Sequence, residues 1–247
     1  MIKSNIKLFV LSFLILISLR PLQSAEMADP IKVDWSFKGL TGTFDRASLQ
    51  RGFQVYKEVC ASCHSMQYLS YRNLGEPGGP EFSEQEVKAI AASFEIEDGP
   101  DSQGEMFTRP GKPSDKFKSP YPNVQAATAA NGGAYPPDMS VLVKARKGGA
   151  NYIYSVLVGY DDPPPGVTLD DGVYYNKYMA GNKIKMPNNL IDGLVEYADG
   201  TESTVDQMAR DVTTFLAWAA EPELEERHKT GVKVIIYLVL LTILVYL

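Results

Sequence analysis

A mainly α, loop-rich exported domain held to a membrane by a C-terminal helix is the fold class this sequence predicts, and three observations predict it. Two stretches, 45–65 and 204–220, carry apolar residues at helical spacing. Twenty glycines and sixteen prolines run through the chain, which favours many ordered loops over an all-helical bundle. The 247 residues close on an apolar run, GVKVIIYLVLLTILVYL from Gly231.

At the N-terminus, Lys3 and Lys7 form a basic region and Leu8 to Leu19 an apolar one, with small residues Ser24 and Ala25 before Glu26. Residues 1–25 therefore read as a signal peptide. The run is short for a membrane span and lacks the arginines of a mitochondrial presequence, so a bacterial export route is expected. Residues 26–226 would then form one exported domain, long enough to bury a core. Removing Lys3, Lys7 and Arg20, with no acid beside them, takes the net charge from −6 to −9. A domain of that charge is a poor nucleic-acid ligand and suits a basic protein partner.

Asp45 to Ser65 reads as a helix, capped by Thr43 or Asp45, with Leu49, Phe53 and Tyr56 on its core face. Glu81 to Glu105 holds eight acids against the single Lys88. Charge alone does not separate a solvated face from a docking surface there. Arg109 to Asn123 is Pro- and Lys-rich, hence an extended loop. Ser140 to Tyr160 begins as a helix that Gly148-Gly149 breaks, and DDPPPG at 161–166 forms a turn. Thr204 to Ala220 is the clearest amphipathic helix, with Val205, Met208, Val212, Phe215, Leu216 and Ala219 on one face, and Glu221-Pro222 ends it. Val234 to Leu247 is free of charge but only 14 residues long, against the ~20 that a spanning helix needs. The anchor at 231–247 is thus expected to continue past Leu247 with residues that include Lys or Arg, since the export signal leaves that end in the cytoplasm.

Cys60-Ala61-Ser62-Cys63-His64 carries the chemistry. Two thiols at C-x-x-C spacing can each add to a haem vinyl group, and the next residue, His64, then lies under the iron. A thioredoxin-like pair needs no following histidine, and a zinc site lacks partners because the second histidine, His228, adjoins the apolar tail. Methionine is therefore the candidate for the iron's second axial ligand. Met1 is in the signal, Met27 just past its end, Met66 too near His64, and Met208 on a core stripe. Met106, Met139, Met179 and Met186 remain open. Met186 stands out because it precedes Pro187 in a polar loop, where no apolar stripe explains it.

Longer segments add a family resemblance. RGFQVYKEVCASCHSM (51–66), GEMFTRPGKPSD (104–115), YPN (121–123), AANGGAYPPDMS (129–140), ARKGGANYIYSVLVGY (145–160), the Met186 loop, EYADGT (196–201) and TTFLAWAAEPE (213–223) resemble the cytochrome c1 family, the haem-bearing subunits of cytochrome bc1 complexes. The resemblance implies a c-type cytochrome domain with one covalent haem c on Cys60 and Cys63, and His64 and Met186 as the metal ligands. It implies that Arg146 pairs with a haem propionate, and a guanidinium does suit a carboxylate bidentately. Asn131, Pro136, Pro137 and Tyr152 fall at pocket-lining positions. The implied function is that of an electron-transfer subunit of quinol–cytochrome c oxidoreductase. One electron would pass from a Rieske iron–sulfur protein to a soluble or tethered c-type cytochrome, beside cytochrome b in a dimeric complex of the bacterial inner membrane, with the haem domain on the periplasmic side. The chain would be part of an enzyme while itself only carrying electrons, with no catalytic acid or base. A membrane-tethered shuttle outside any complex and a haem peroxidase are the alternatives; the first leaves the long motifs unexplained, and the second lacks a spare histidine. The sequence departs from the family at its end, where members complete the anchor and add a short basic tail.

Overall fold

Two helices, α1 (Arg46–Glu58) and α5 (Val205–Ala220), cross at the centre of the domain and bring their main chains into contact. The computed structural model describes residues 27–247, so the signal peptide read at 1–25 lies outside the described residues. Asp45 caps α1 by accepting from the Ala47 amide at 3.2 Å, and Thr204 caps α5 by accepting from Gln207 at 3.1 Å, each satisfying an amide that has no partner inside its helix. Leu49, Phe53 and Tyr56 are buried as expected, and so is the α5 stripe of Met208, Val212, Phe215 and Leu216. Aromatic rings fill the space around the crossing. Phe53 meets Phe215 edge-on at 5.7 Å, and Tyr71 stacks on Phe117 at 4.8 Å, both favoured ring geometries.

Gly52 makes the close crossing possible. A Cβ placed there would lie 2.1 Å from the Asp211 carbonyl oxygen and 2.8 Å from the Phe215 Cβ. Both neighbours are fixed on α5, so Gly52→Ala must push the helices apart. The expected loss is about 2–3 kcal/mol, towards the upper end for overpacking, read as a lower denaturation midpoint; an unchanged midpoint would show that α5 shifts freely.

The remaining elements are short. α2 (Glu84–Ala92) starts at a capping box in which Ser83 and Glu86 exchange bonds of 3.3 and 2.7 Å. β1 (Glu95–Asp98) and β2 (Phe107–Pro110) pair antiparallel, with Glu95 opposite Pro110. α3 (Val124–Ala130) and α4 (Gly149–Val158) follow, and then the two-residue strands β3 (Tyr174–Tyr175) and β4 (Lys183–Ile184), also antiparallel. The segment 31–35 straps α4, with Ile31 donating to Ser155 Oγ at 2.8 Å and Trp35 to Asn151 Oδ1 at 2.7 Å.

Two helix readings need correction. α1 ends at Glu58 rather than Ser65, and beyond it Cys60 opens a 3-10 turn, Cys60–Ser62, that Cys63 closes. The Ser140–Tyr160 helix lies after the Gly148-Gly149 pair, not before it. Gly148 (φ +93°) and Gly149 (φ +56°) are left-handed and turn the chain into α4, while 140–148 is a series of turns.

The last helix, α6 (Leu224–Tyr246), is 23 residues long and is long and apolar enough to cross a membrane. It starts seven residues before the expected Gly231, because nothing between Leu224 and Gly231 breaks a helix and Glu225 and Glu226 favour its N-terminal end. Its base is fixed to the domain. Buried Glu225 takes the Arg46 guanidinium bidentately at 2.7 and 2.9 Å and the Phe44 amide at 2.9 Å. His228 donates from Nδ1 to the Gly42 carbonyl at 3.2 Å, so it is part of this seat rather than a solvated residue. From Val232 onward the large apolar side chains of α6 are exposed.

Candidate haem site

Between α4, α5 and the loops after α1, α3 and β4 lies a cavity of about 490 Å³. Its walls are largely apolar, with Leu142, Ile153, Val156, Leu157, Ile184 and Leu216 among them. All nine residues named from the sequence line it: Cys60, Cys63, His64, Asn131, Pro136, Pro137, Arg146, Tyr152 and Met186. They come from five separate segments, so only the folded chain assembles them.

Cys60, Cys63 and His64 stand on the turn that leaves α1. The His64 amide bonds to the Cys60 carbonyl at 2.9 Å, which holds the motif as one tight turn. His64 is buried, and its Nδ1 lies 2.8 Å from the Pro137 carbonyl oxygen. A carbonyl only accepts, so Nδ1 carries the proton and Nε2 keeps its lone pair. Burial also lowers the His64 pKa, against the opposing pull of that hydrogen bond and of Asp138. The ring is therefore a neutral imidazole ready to coordinate. Burial pushes the Cys60 thiol up to about 12, with Cys63 adding to the effect.

The methionines separate cleanly. Met66 is fully buried in the core, and Met106 is exposed and away from the cavity. Met139 lines the cavity, but its amide bonds to the Ser65 carbonyl at 2.8 Å, which ties it to the wall that holds His64. Met179 also lines it, and its thioether accepts from the Tyr152 hydroxyl at 3.3 Å. Met186 is on the loop after β4, and among the described residues its sulfur has no hydrogen-bond donor. Arg146 stands exposed at the cavity mouth, and among the described residues it forms no ion pair with a carboxylate. Asn131 caps α3 and is held by its own Nδ2, which donates to Tyr121 at 3.2 Å and to the Ala127 carbonyl at 2.7 Å. An apolar slot with the His64 lone pair on one side, the unengaged Met186 thioether on a separate loop, two thiols and a guanidinium without a carboxylate partner among the described residues fits a haem.

Asp138 was not legible as a site residue, yet it braces the histidine wall. Its carboxylate accepts from Ser65 Oγ at 2.7 Å, the Gln67 amide at 2.9 Å and the Ser140 amide at 2.8 Å. Burial acts to raise its pKa, but the donors from Ser140, Gln67 and Ser65 outweigh burial and hold it below the ordinary range. A lowered folded pKa stabilises above the unfolded value and is lost as pH falls through the folded one. Asp138→Ala is expected to cost roughly 2 kcal/mol at pH 7. The gap between the two proteins should hold down to about pH 5 and shrink below about pH 4. A gap independent of pH would show that the lost bonds are not those of the carboxylate.

With this geometry in view, the comparisons with known proteins are decisive. The sequence pattern described as the Cytochrome C1 family matches residues 35–247. The chain belongs to the cytochrome c1 family. It is 55% identical over 199 residues to "Cytochrome c1-2, heme protein, mitochondrial" of Solanum tuberosum, covering 81% of this chain and 75% of that protein. It is 50% identical over 227 residues to "Cytochrome c1" of Rhodospirillum rubrum, covering 85% and 82%. It is 49% identical over 231 residues to "Cytochrome b/c1" of Bradyrhizobium diazoefficiens, covering 86% of this chain but 34% of that longer protein. Family membership accounts for the long motifs that extend beyond the cavity, from the 104–115 loop to the end of α5.

Proposed function

We propose that this chain is the haem-bearing subunit of a quinol–cytochrome c oxidoreductase, taking one electron from a Rieske iron–sulfur protein and passing it to a soluble or tethered c-type cytochrome. The convergence of Cys60, Cys63, His64 and Met186 on one apolar cavity, in a chain of the cytochrome c1 family, carries the proposal. A haem c bound there would supply a one-electron iron couple, and the protein would set its potential, orientation and access. Cys60 and Cys63 would hold the group covalently, and His64 and Met186 would be its iron ligands. Arg146 at the mouth would neutralise a propionate. Asn131, Pro136, Pro137 and Tyr152 would shape the pocket.

Partners and placement are part of the same reading. The signal at 1–25 would export the domain 26–226 to the periplasmic side of a bacterial inner membrane, and α6, with the anchor at 231–247, would hold it there. The name "Cytochrome b/c1" of the Bradyrhizobium protein supports cytochrome b as a neighbour, within a dimeric complex.

The acidic stretch has a place in this scheme. Among the described residues Glu81, Glu84 and Asp98 are ion-paired with Arg46, Lys88 and Arg109. Glu95 and Glu97 are not, and they line a second cleft, of about 630 Å³, that shares Cys63, Tyr135 and Pro136 with the haem cavity. Lys116 and Lys118 stand in the same cleft. We therefore expect Glu95→Gln with Glu97→Gln to slow association with a basic acceptor by roughly threefold to tenfold at low salt and to have little effect at high salt. Stopped-flow acceptor reduction across a salt series reads this, and a rate insensitive to salt in both proteins would remove the steering role.

To test the function as a whole, native membranes are solubilised in mild detergent and purified through this chain. Co-purification of b-type haem absorption and a Rieske EPR signal is expected. Recovery of c-type haem alone, under conditions that keep other respiratory complexes intact, would favour the tethered shuttle instead.

A further inference from the structure

The loop that carries Met186 is held by remarkably few bonds of its own. Among the described residues, the main chain from Met186 to Leu190 makes a single hydrogen bond: the Tyr160 hydroxyl donates to the Met186 carbonyl at 2.9 Å. Pro187 has no amide proton to offer, and the exposed side chains of Asn188 and Asn189 make no bonds to the fold. Beside this loop, the exposed Lys185 donates from Nζ to the Gly132 carbonyl at 2.8 Å.

Tyr160, in contrast, is rigidly placed. It follows the end of α4, pairs its main chain with Asn176 and lines the haem cavity. Asn176 is fully buried and donates to the Val156 carbonyl at 2.8 Å, which locks that pairing to α4. Gly159 lets the chain turn there: a Cβ at that position would stand 2.4 Å from the Tyr178 ring and 2.6 Å from the Ser155 carbonyl. The hydroxyl is thus delivered by a fixed helix end to the methionine end of a loop whose far end is anchored by the buried Leu190.

We propose that Tyr160 is the positioning residue for the sixth ligand, holding the Met186 loop so that its thioether stays directed at the iron. The inference rests on Met186 being that ligand. A tethered loop would keep the Met186 thioether in place in each redox state, so that an electron could move without ligand exchange. An untethered loop would release the thioether part of the time and admit exogenous ligands.

Tyr160→Phe removes the hydroxyl and keeps the ring. In the assembled complex, covalent haem content and thermal unfolding are expected to match wild type. The bound-to-unbound ratio of the thioether should fall roughly fivefold to tenfold, the scale of one lost hydrogen bond. This is read as a weaker methionine–iron charge-transfer band in the oxidised protein and as carbon monoxide binding to the reduced protein. Tyr174→Phe, a change at an exposed neighbour on β3, should leave both signals unaltered. Met186→Ala serves as the reference, with the band gone. A full-strength band and no carbon monoxide binding in Tyr160→Phe would overturn the role of Tyr160. A band that survives Met186→Ala would instead overturn the ligand assignment, and the inference with it.

Discussion

Met186→Ala is expected to keep covalent haem c and lose the function. Cys60 and Cys63 would still hold the group, and His64 would still be set by the Pro137 carbonyl. The methionine–iron charge-transfer band should vanish, and the reduced protein should bind carbon monoxide. A thioether raises the potential relative to water or a harder ligand, so the midpoint should fall by on the order of 0.2 V, within the roughly 0.8 V range that axial ligands command. At about 59 mV per tenfold, that moves the one-electron equilibrium by about three powers of ten against reduction by an upstream donor. Met179→Leu should keep the band, because the Met179 thioether is engaged by Tyr152. Potentiometric titration of the three proteins decides the matter. An unchanged midpoint in Met186→Ala, with loss of the band in Met179→Leu, would transfer the ligand role.

Arg51→Met is expected to cost about 3–5 kcal/mol of stability, since it strands a buried carboxylate. Asp211 has no exposed surface and takes the Arg51 guanidinium through two bonds, at 2.8 and 3.1 Å. Gln207 Nε2 also donates to it at 2.9 Å. Arg51 also reaches Asp199 at 2.8 Å and lies over the Tyr197 ring, so it ties α1 to α5 and to the 196–201 loop. Arg51→Met combined with Asp211→Leu should recover much of the loss, because an apolar pair of similar volume removes the stranded charge. Denaturant unfolding of the singles and the double gives the coupling. A single-variant loss under about 1 kcal/mol would show that water reaches Asp211 once the guanidinium is gone.

Local chemistry was the readable part of this fold. Asp45 and Thr204 announce helix starts because a cap needs only a side-chain oxygen two or three residues ahead of an amide. The buried faces of α1 and α5 follow from spacing. Where the structure departs, the deciding contacts are distant. Gly148-Gly149 reads as the break that ends a helix, whereas both glycines are left-handed and lead the chain into α4. Helical periodicity carries on past Glu58, whereas the chain must tighten into a 3-10 turn to present Cys60 and His64 together.

The site divides in the same way. Cys60, Cys63 and His64 are contiguous, so their chemistry is visible in five letters. Met186 could be narrowed to four candidates by residue type, but the Tyr152 bond to Met179 and the Ser65 bond to Met139 had no sequence signal. Asn131, Pro136, Pro137 and Arg146 entered only through the family resemblance. Asp138 and Tyr160 act through bonds to segments 71 and 26 residues away. No periodicity encodes such pairs, although an acid directly after Pro136-Pro137 and a tyrosine directly after Gly159 mark fixed turns where side chains can be aimed.

The most direct test of the central claim is rapid reduction of the purified complex by quinol, followed at the c-haem and acceptor-cytochrome wavelengths. Reduction of the c haem, then its reoxidation by added cytochrome c, is the expected sequence, with both steps lost when the Rieske cluster is removed and restored with it. A c haem that stays oxidised while the Rieske cluster and b haems cycle, or that is reduced equally well without the cluster, would contradict the account.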